Sequence, residues 1–278
     1  MRIVVTGSRG QLGSELHQAL GTDHEVISLD RPVDDVTSLR IIAAVEECQP
    51  DVVIHCAAMT NVDGCTRDPT AAYLVNALGT RNVALGCQRA GAEMAYISTN
   101  EVFDGTKLSY LEFDEPNPIN TYGKSKLAGE RFVLSLLNRF YIIRTSWLFG
   151  RGNNFVRKII SLADAQGELK VVTDEVSSPT YARDLACAIG RLLKQHVYGV
   201  YHLVNPGACS RYEYARRILE MADRGHVPIH PITLADFQRA STPPPQAYLE
   251  NFCGQALGIA LRPWEEALAA FLADEAGK

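Results

Sequence analysis

The stretch that decides the fold is Arg2–Gly13, RIVVTGSRGQLG. It begins as an apolar, β-branched run and ends in a glycine series, Gly7-x-x-Gly10-x-x-Gly13. An amphipathic segment over 11–20 follows directly. Strand, glycine turn and helix in that order form a phosphate cradle. Glycines let the backbone approach a pyrophosphate closely, and the helix aims its positive N-terminal end at it. The spacing is GxxGxxG rather than GxGxxG, so the motif draws its meaning from its place between a strand and a helix.

Reading outward, a second strand over 25–30 ends at Asp30, where a carboxylate accepts hydrogen bonds from the adenosine ribose hydroxyls, as suits NADH. Arg31 follows it and Arg9 lies in the glycine loop. Either guanidinium suits a ribose 2′-phosphate, so NADPH fits as well. The cofactor expected is NADPH or NADH.

Apolar runs over 51–58, 94–99 and 140–147 read as further strands, separated by helical stretches over 38–48, 69–89 and 120–137. DVVIHCAA (51–58) is almost continuously apolar, as in a strand covered on both faces. This alternation predicts an α/β fold: a Rossmann-like doubly wound parallel sheet with a smaller C-terminal substrate-binding lobe. Residues 1–150 are assigned to the NAD(P)-binding domain. Residues 151–278 are assigned mainly to the lobe, with segments returning to the first domain. There the pattern gives helices over 154–165, 181–195 and 211–222, strands over 170–172 and 201–204, and a last helix from Pro263 to about residue 273.

The composition is that of an ordinary soluble globular chain: 278 residues, 46% hydrophobic and 21% charged. A net charge of -5 argues against a broad grip on nucleic acid. No uninterrupted apolar run reaches about 18 residues, so no membrane span is expected. The seven cysteines include no CxxC pair and read as reduced thiols, pointing to a cytoplasmic protein without disulfides or a zinc site. His55, in a buried-looking strand, reads as a core histidine, and no metal site is expected.

The chemistry is carried by Thr121-Tyr122-Gly123-Lys124-Ser125-Lys126. Tyr122 and Lys126 lie four apart and share a helix face. A free tyrosine titrates near pH 10, roughly. A neighbouring ammonium and a cationic nicotinamide both favour the phenolate, which lowers that value. Lys126 can also hold the nicotinamide ribose, and Thr99 can donate a hydrogen bond to a substrate oxygen.

With GSRGQLGSEL, HCAAMTNVD, YISTNEVFDGT, PINTYGKSKLAGE, RTSWLFGRGNNFV and SSPTYARDLA, the chain resembles the extended short-chain dehydrogenase/reductases. More narrowly, it is similar to the dTDP-4-dehydrorhamnose reductase family. The resemblance implies that Gly10, Gln11 and Leu12 meet the pyrophosphate. It places Asp30 at the adenosine ribose, Asp35 and Val36 beside the adenine, and Ala57, Ala58, Met59 and Thr60 along the nicotinamide side. Thr99, Tyr122 and Lys126 become the proton-relay set, Trp147 packs on the sugar, and Asn100 and Glu101 stand next to the substrate. The implied reaction is hydride delivery to C4 of a nucleotide-linked 4-keto-6-deoxyhexose, in a homodimer. Two departures stand out. Asn100-Glu101 replaces the family's usual Asp-Tyr, leaving epimerisation or dehydration as alternatives, and Pro243, Pro244 and Pro245 occupy a region where the family often has Arg-Pro-x-x-Ser. A non-catalytic subunit similar to the regulatory β subunit of methionine adenosyltransferase is the remaining alternative.

Overall fold

The computed structural model describes residues 1–276. Its centre is a six-stranded parallel sheet. Five of its strands are β1 (Arg2–Thr6), β2 (Glu25–Leu29), β3 (Val52–His55), β4 (Glu93–Thr99) and β5 (Phe140–Thr145). The sixth is Gly199–His202, which pairs with β5, so a segment from far along the chain completes the sheet. The spatial order is β2-β1-β3-β4-β5 and then Gly199–His202.

Helices cover both faces. Leu12, Leu16 and Leu20 of helix Gln11–Leu20 pack with Leu185, Ile189 and Leu192 of helix Ala182–Leu193 on one side. Ile41, Ile42 and Val45 of Arg40–Cys48 pack with Val83 and Cys87 of Thr80–Ala90 and Val133 of Thr121–Leu136 on the other. All four residues of β3 are buried, as a strand covered on both faces requires. From β1 the chain turns to β2 on one side and then crosses to β3 on the other. That reversal opens a crevice at the carboxyl ends of the strands.

The helical stretch expected over 69–89 is divided into Pro69–Tyr73, a π-helical turn Leu74–Gly79, and Thr80–Ala90. A short helix, Val62–Arg67, comes before it and was not foreseen. Side-chain caps start the first two helices: Asn61 accepts from the Gly64 amide and Asp68 from the Ala71 amide, each at 2.9 Å. The strand expected over 140–147 stops at Thr145, and Trp147 has φ +39°, which extended backbone excludes.

The lobe packs helices Phe155–Gln166, Arg211–Met221 and Trp264–Ala276 around Phe149, Tyr214, Leu268 and Phe271. Its parallel strand pair joins Leu169–Val172 to Ile229–Ile232. The latter escaped the sequence reading because His230 and Pro231 leave it half-exposed and Pro-interrupted. Among the described residues no helix is long and apolar enough to cross a membrane.

Candidate active site

A cleft of about 640 Å³ runs along the carboxyl ends of the strands, from the glycine loop to the lobe. Every cofactor, relay and substrate residue named from the sequence lines it except Met59, whose backbone is bound instead by the side chain of Asn76.

At one end Gly7 has φ +70°. A Cβ on Gly13 would lie 2.4 Å from the Gly7 carbonyl oxygen and 2.6 Å from Ser8 Cα, so the turn tolerates no side chain there. Asp30 closes the loop from below, accepting from the Ser8 amide at 2.9 Å and from the Ser8 hydroxyl. Exposed Arg9 lies 3.9 Å from the same carboxylate. Gln11 Oε1 is buried without a protein partner. A glycine cradle at a helix N-terminus, a carboxylate at the second strand and this unspent acceptor fit a dinucleotide. Gly13→Ala is expected to weaken NADPH binding by about tenfold or more and to cost about 1–3 kcal/mol of stability, read by fluorescence titration and thermal melting.

The places of Tyr122, Lys126 and Thr99 are set by how helix Thr121–Leu136 seats on β4. Asn120 caps the helix, its Oδ1 accepting from the Gly123 amide at 2.9 Å. Gly123 is required there, because a Cβ would stand 1.9 Å from the Glu101 carbonyl oxygen. Further along, Lys126 Nζ donates to the Ile97 carbonyl at 2.6 Å and lies 4.1 Å from the centroid of Tyr96. One turn on, Glu130 accepts from Ser98 Oγ at 2.5 Å and from Arg144 through Nε at 3.1 Å and Nη2 at 2.8 Å. The helix therefore holds residues 97 and 98, and Thr99 comes next along the strand, in the same cleft as Tyr122.

Burial pulls Lys126 down to about 7, with Glu130 opposing. The Tyr122 phenol goes the other way from the sequence expectation: burial and the Glu101 charge push it up, and only Thr99 partly offsets them. Lys126 is turned to the Ile97 carbonyl and the Tyr96 ring, and desolvation of the Tyr122 ring is the largest cause of the shift. His55 is a satisfied core histidine, bonded to Thr6 at 2.6 Å and Thr80 at 3.1 Å.

At the lobe end Glu101 receives a hydrogen bond from Asn120 Nδ2 at 2.5 Å. Burial raises its carboxyl to about 7 against that bond, with Glu175 raising it further and Arg239 and Arg211 opposing. Asn100 lines the cleft, but its amide is committed to Ser177 Oγ at 3.2 Å and the Ala247 carbonyl at 3.3 Å. Trp147 is present, yet the Arg211 guanidinium sits 3.6 Å above its ring. Of the proline run, Pro245 takes a hydrogen bond from the Val176 amide at 2.8 Å, while Asn120 reaches the Thr242 carbonyl at 3.1 Å.

A carboxyl raised from 4.5 to about 7 holds more protons folded than unfolded between those values, so it erodes stability as pH rises through that window. Glu101→Gln is therefore expected to melt higher than the parent protein at pH 8 and to lose that advantage at pH 5.

Sequence reasoning missed Asn120, Glu175, Arg211 and Arg239. Only Asn120 carried a local signal, a capping residue at a helix start. The other three are ordinary charged residues until the lobe folds over the sheet.

The whole described chain, residues 1–276, matches the model of the RmlD substrate binding domain family. A spore coat polysaccharide biosynthesis protein of Bacillus subtilis (strain 168) is 38% identical over 98% of this chain and 96% of its own length. A dTDP-4-dehydrorhamnose reductase of Mycobacterium tuberculosis (strain ATCC 25618 / H37Rv) is 37% identical over 98% of this chain and 92% of its own. The crystal structure of dTDP-4-dehydrorhamnose reductase from Bacillus anthracis str. Ames in complex with NADP is 39% identical. It superimposes with a TM-score of 0.95 over 98% of this chain and 99% of that one.

Proposed function

We propose, from the premise that this chain belongs to the RmlD substrate binding domain family, that it is an NADPH- or NADH-dependent reductase of the 4-keto group of a dTDP-linked 6-deoxyhexose. The observation that carries this reading is the seating of helix Thr121–Leu136 on β4, which puts Thr99, Tyr122 and Lys126 in one cleft with the glycine loop.

The backbone of Gly7–Gly13 would hold the cofactor's pyrophosphate, with Asp30 and Arg9 at the adenosine ribose and Asp35 and Val36 by the adenine. When bound, the reduced nicotinamide supplies the hydride. Thr99 Oγ1, whose proton goes to Asn100 Oδ1 at 3.3 Å here, would turn that proton to the substrate oxygen and fix its direction. Tyr122, protonated because burial and Glu101 favour the neutral phenol, gives its proton to that oxygen as charge develops there. Lys126, anchored on the Ile97 carbonyl, stabilises the phenolate left behind and helps orient the nicotinamide ribose.

Asn100 has no acidic proton, and its amide is spent on Ser177 and Ala247, which disfavours water elimination. The test is NADPH and NADH absorbance with purified protein and dTDP-4-keto-6-deoxy sugar generated in the same cuvette. Stoichiometric oxidation of either cofactor is expected. A product formed without net oxidation would replace this reading with a dehydratase or epimerase, and cofactor binding without turnover would favour a regulatory subunit.

A further inference from the structure

We propose that Arg211 is the anion anchor of the substrate subsite, binding the diphosphate that joins nucleotide to sugar; this rests on the reductase reading above. Arg211 is the first residue of helix Arg211–Met221 and lines the same cleft as Thr99, Tyr122 and Glu101. Its guanidinium lies 3.6 Å from the centroid of Trp147 and 4.9 Å from that of Phe155. Stacking takes up the flat face of a guanidinium and leaves its edges for hydrogen bonds.

One edge is used internally. Arg211 Nε donates to Glu175 Oε1 at 3.0 Å, and the Arg211 amide donates to the Glu175 carbonyl at 3.0 Å. Neither Nη nitrogen has a hydrogen-bond acceptor among the described residues. The arginine thus presents a pinned fork of N–H donors, the geometry that meets a phosphate in bidentate fashion.

Glu175 does not cancel this charge by itself, because it is shared. Arg239 Nη1 lies 3.7 Å from its other oxygen, while Arg239 Nε donates to Asp63 at 3.2 Å. The two carboxylates brace the two arginines, and of the two it is Arg211 that lines the cleft. A side chain already held by aromatic rings and a carboxylate loses little rotamer freedom when a ligand docks, so its bonds count nearly in full. The cofactor's own diphosphate is accounted for by Gly7–Gly13, whose cradle is built from other residues.

The experiment titrates dTDP into the enzyme saturated with NADP⁺, by calorimetry, for the parent protein and for Arg211→Met and Arg211→Lys, with NADPH affinity measured alongside. Arg211→Met is expected to weaken dTDP about tenfold or more and leave NADPH binding within about twofold. Arg211→Lys keeps the charge but loses the stacked planar fork, and should fall between the two. In turnover, KM for the sugar nucleotide should rise with kcat little changed. The proposal is overturned if dTDP binds Arg211→Met within about twofold of the parent, or if NADPH binding falls in parallel. Because dTDP binding is measured without turnover, a failure of the reductase reading shows separately, as no NADPH oxidation by the parent protein.

Discussion

Tyr122→Phe is expected to lower kcat for NADPH oxidation by about 10²–10⁴-fold while leaving NADPH binding unchanged. The substitution removes one oxygen and keeps the ring that lines the cleft. Only the proton donor is lost. Burial and the Glu101 charge both favour the protonated phenol, the form that the proposed donor role requires. On the proposed mechanism, reduction needs that form at the start of each turnover, and the Thr99 hydrogen bond favours the anion produced at its end. The measurement is steady-state absorbance at saturating substrate, paired with fluorescence titration of NADPH. A variant retaining more than about a tenth of the parent rate would remove Tyr122 from the chemistry.

The largest effect on stability is expected at the ion pair beneath the relay. Glu130 and Arg144 are nearly inaccessible, with side chains 1% and 5% exposed, and are joined by two hydrogen bonds. Glu130→Gln deprives the buried Arg144 cation of its paired carboxylate, and Arg144 Nη1 is already without a hydrogen-bond partner. The expected loss is about 3–5 kcal/mol, read from denaturant unfolding. The double change Glu130→Met with Arg144→Met should recover much of it, since the pair's desolvation cost disappears along with its attraction. The same Glu130 oxygen holds Ser98, so the single variant should also lose turnover through a displaced Lys126. Equal losses in the single and double variants would show that the pair contributes packing rather than charge complementarity.

Much of the architecture was legible along the chain. The glycine series after β1 pointed to a phosphate cradle, because φ +70° at Gly7 favours glycine and the crowding around Gly13 excludes a side chain. Continuous burial along β3 was visible as an unbroken apolar run. Helix Gln11–Leu20 matched its amphipathic segment end to end. The subdivision of residues 62–90 was harder, since Asn61 and Asp68 cap locally while Asn76 turns inward for long-range reasons, bonding Met59 and Ser125.

The sequence by itself determined the α/β sheet and the glycine turn, and it singled out Thr99, Tyr122 and Lys126, which share one cleft, because these depend on local periodicity and on residue types at short spacing. Tertiary structure alone decided the rest. The sixth strand comes from Gly199–His202, the direction of the Tyr122 shift follows from burial beside Glu101, and the lobe end of the cleft is lined by Arg211, backed by Glu175 and Arg239. Desolvation and charge act through space, and the groups that exert them at this cleft lie more than a hundred residues apart in the chain: Glu101 on one side, Arg211 and Arg239 on the other.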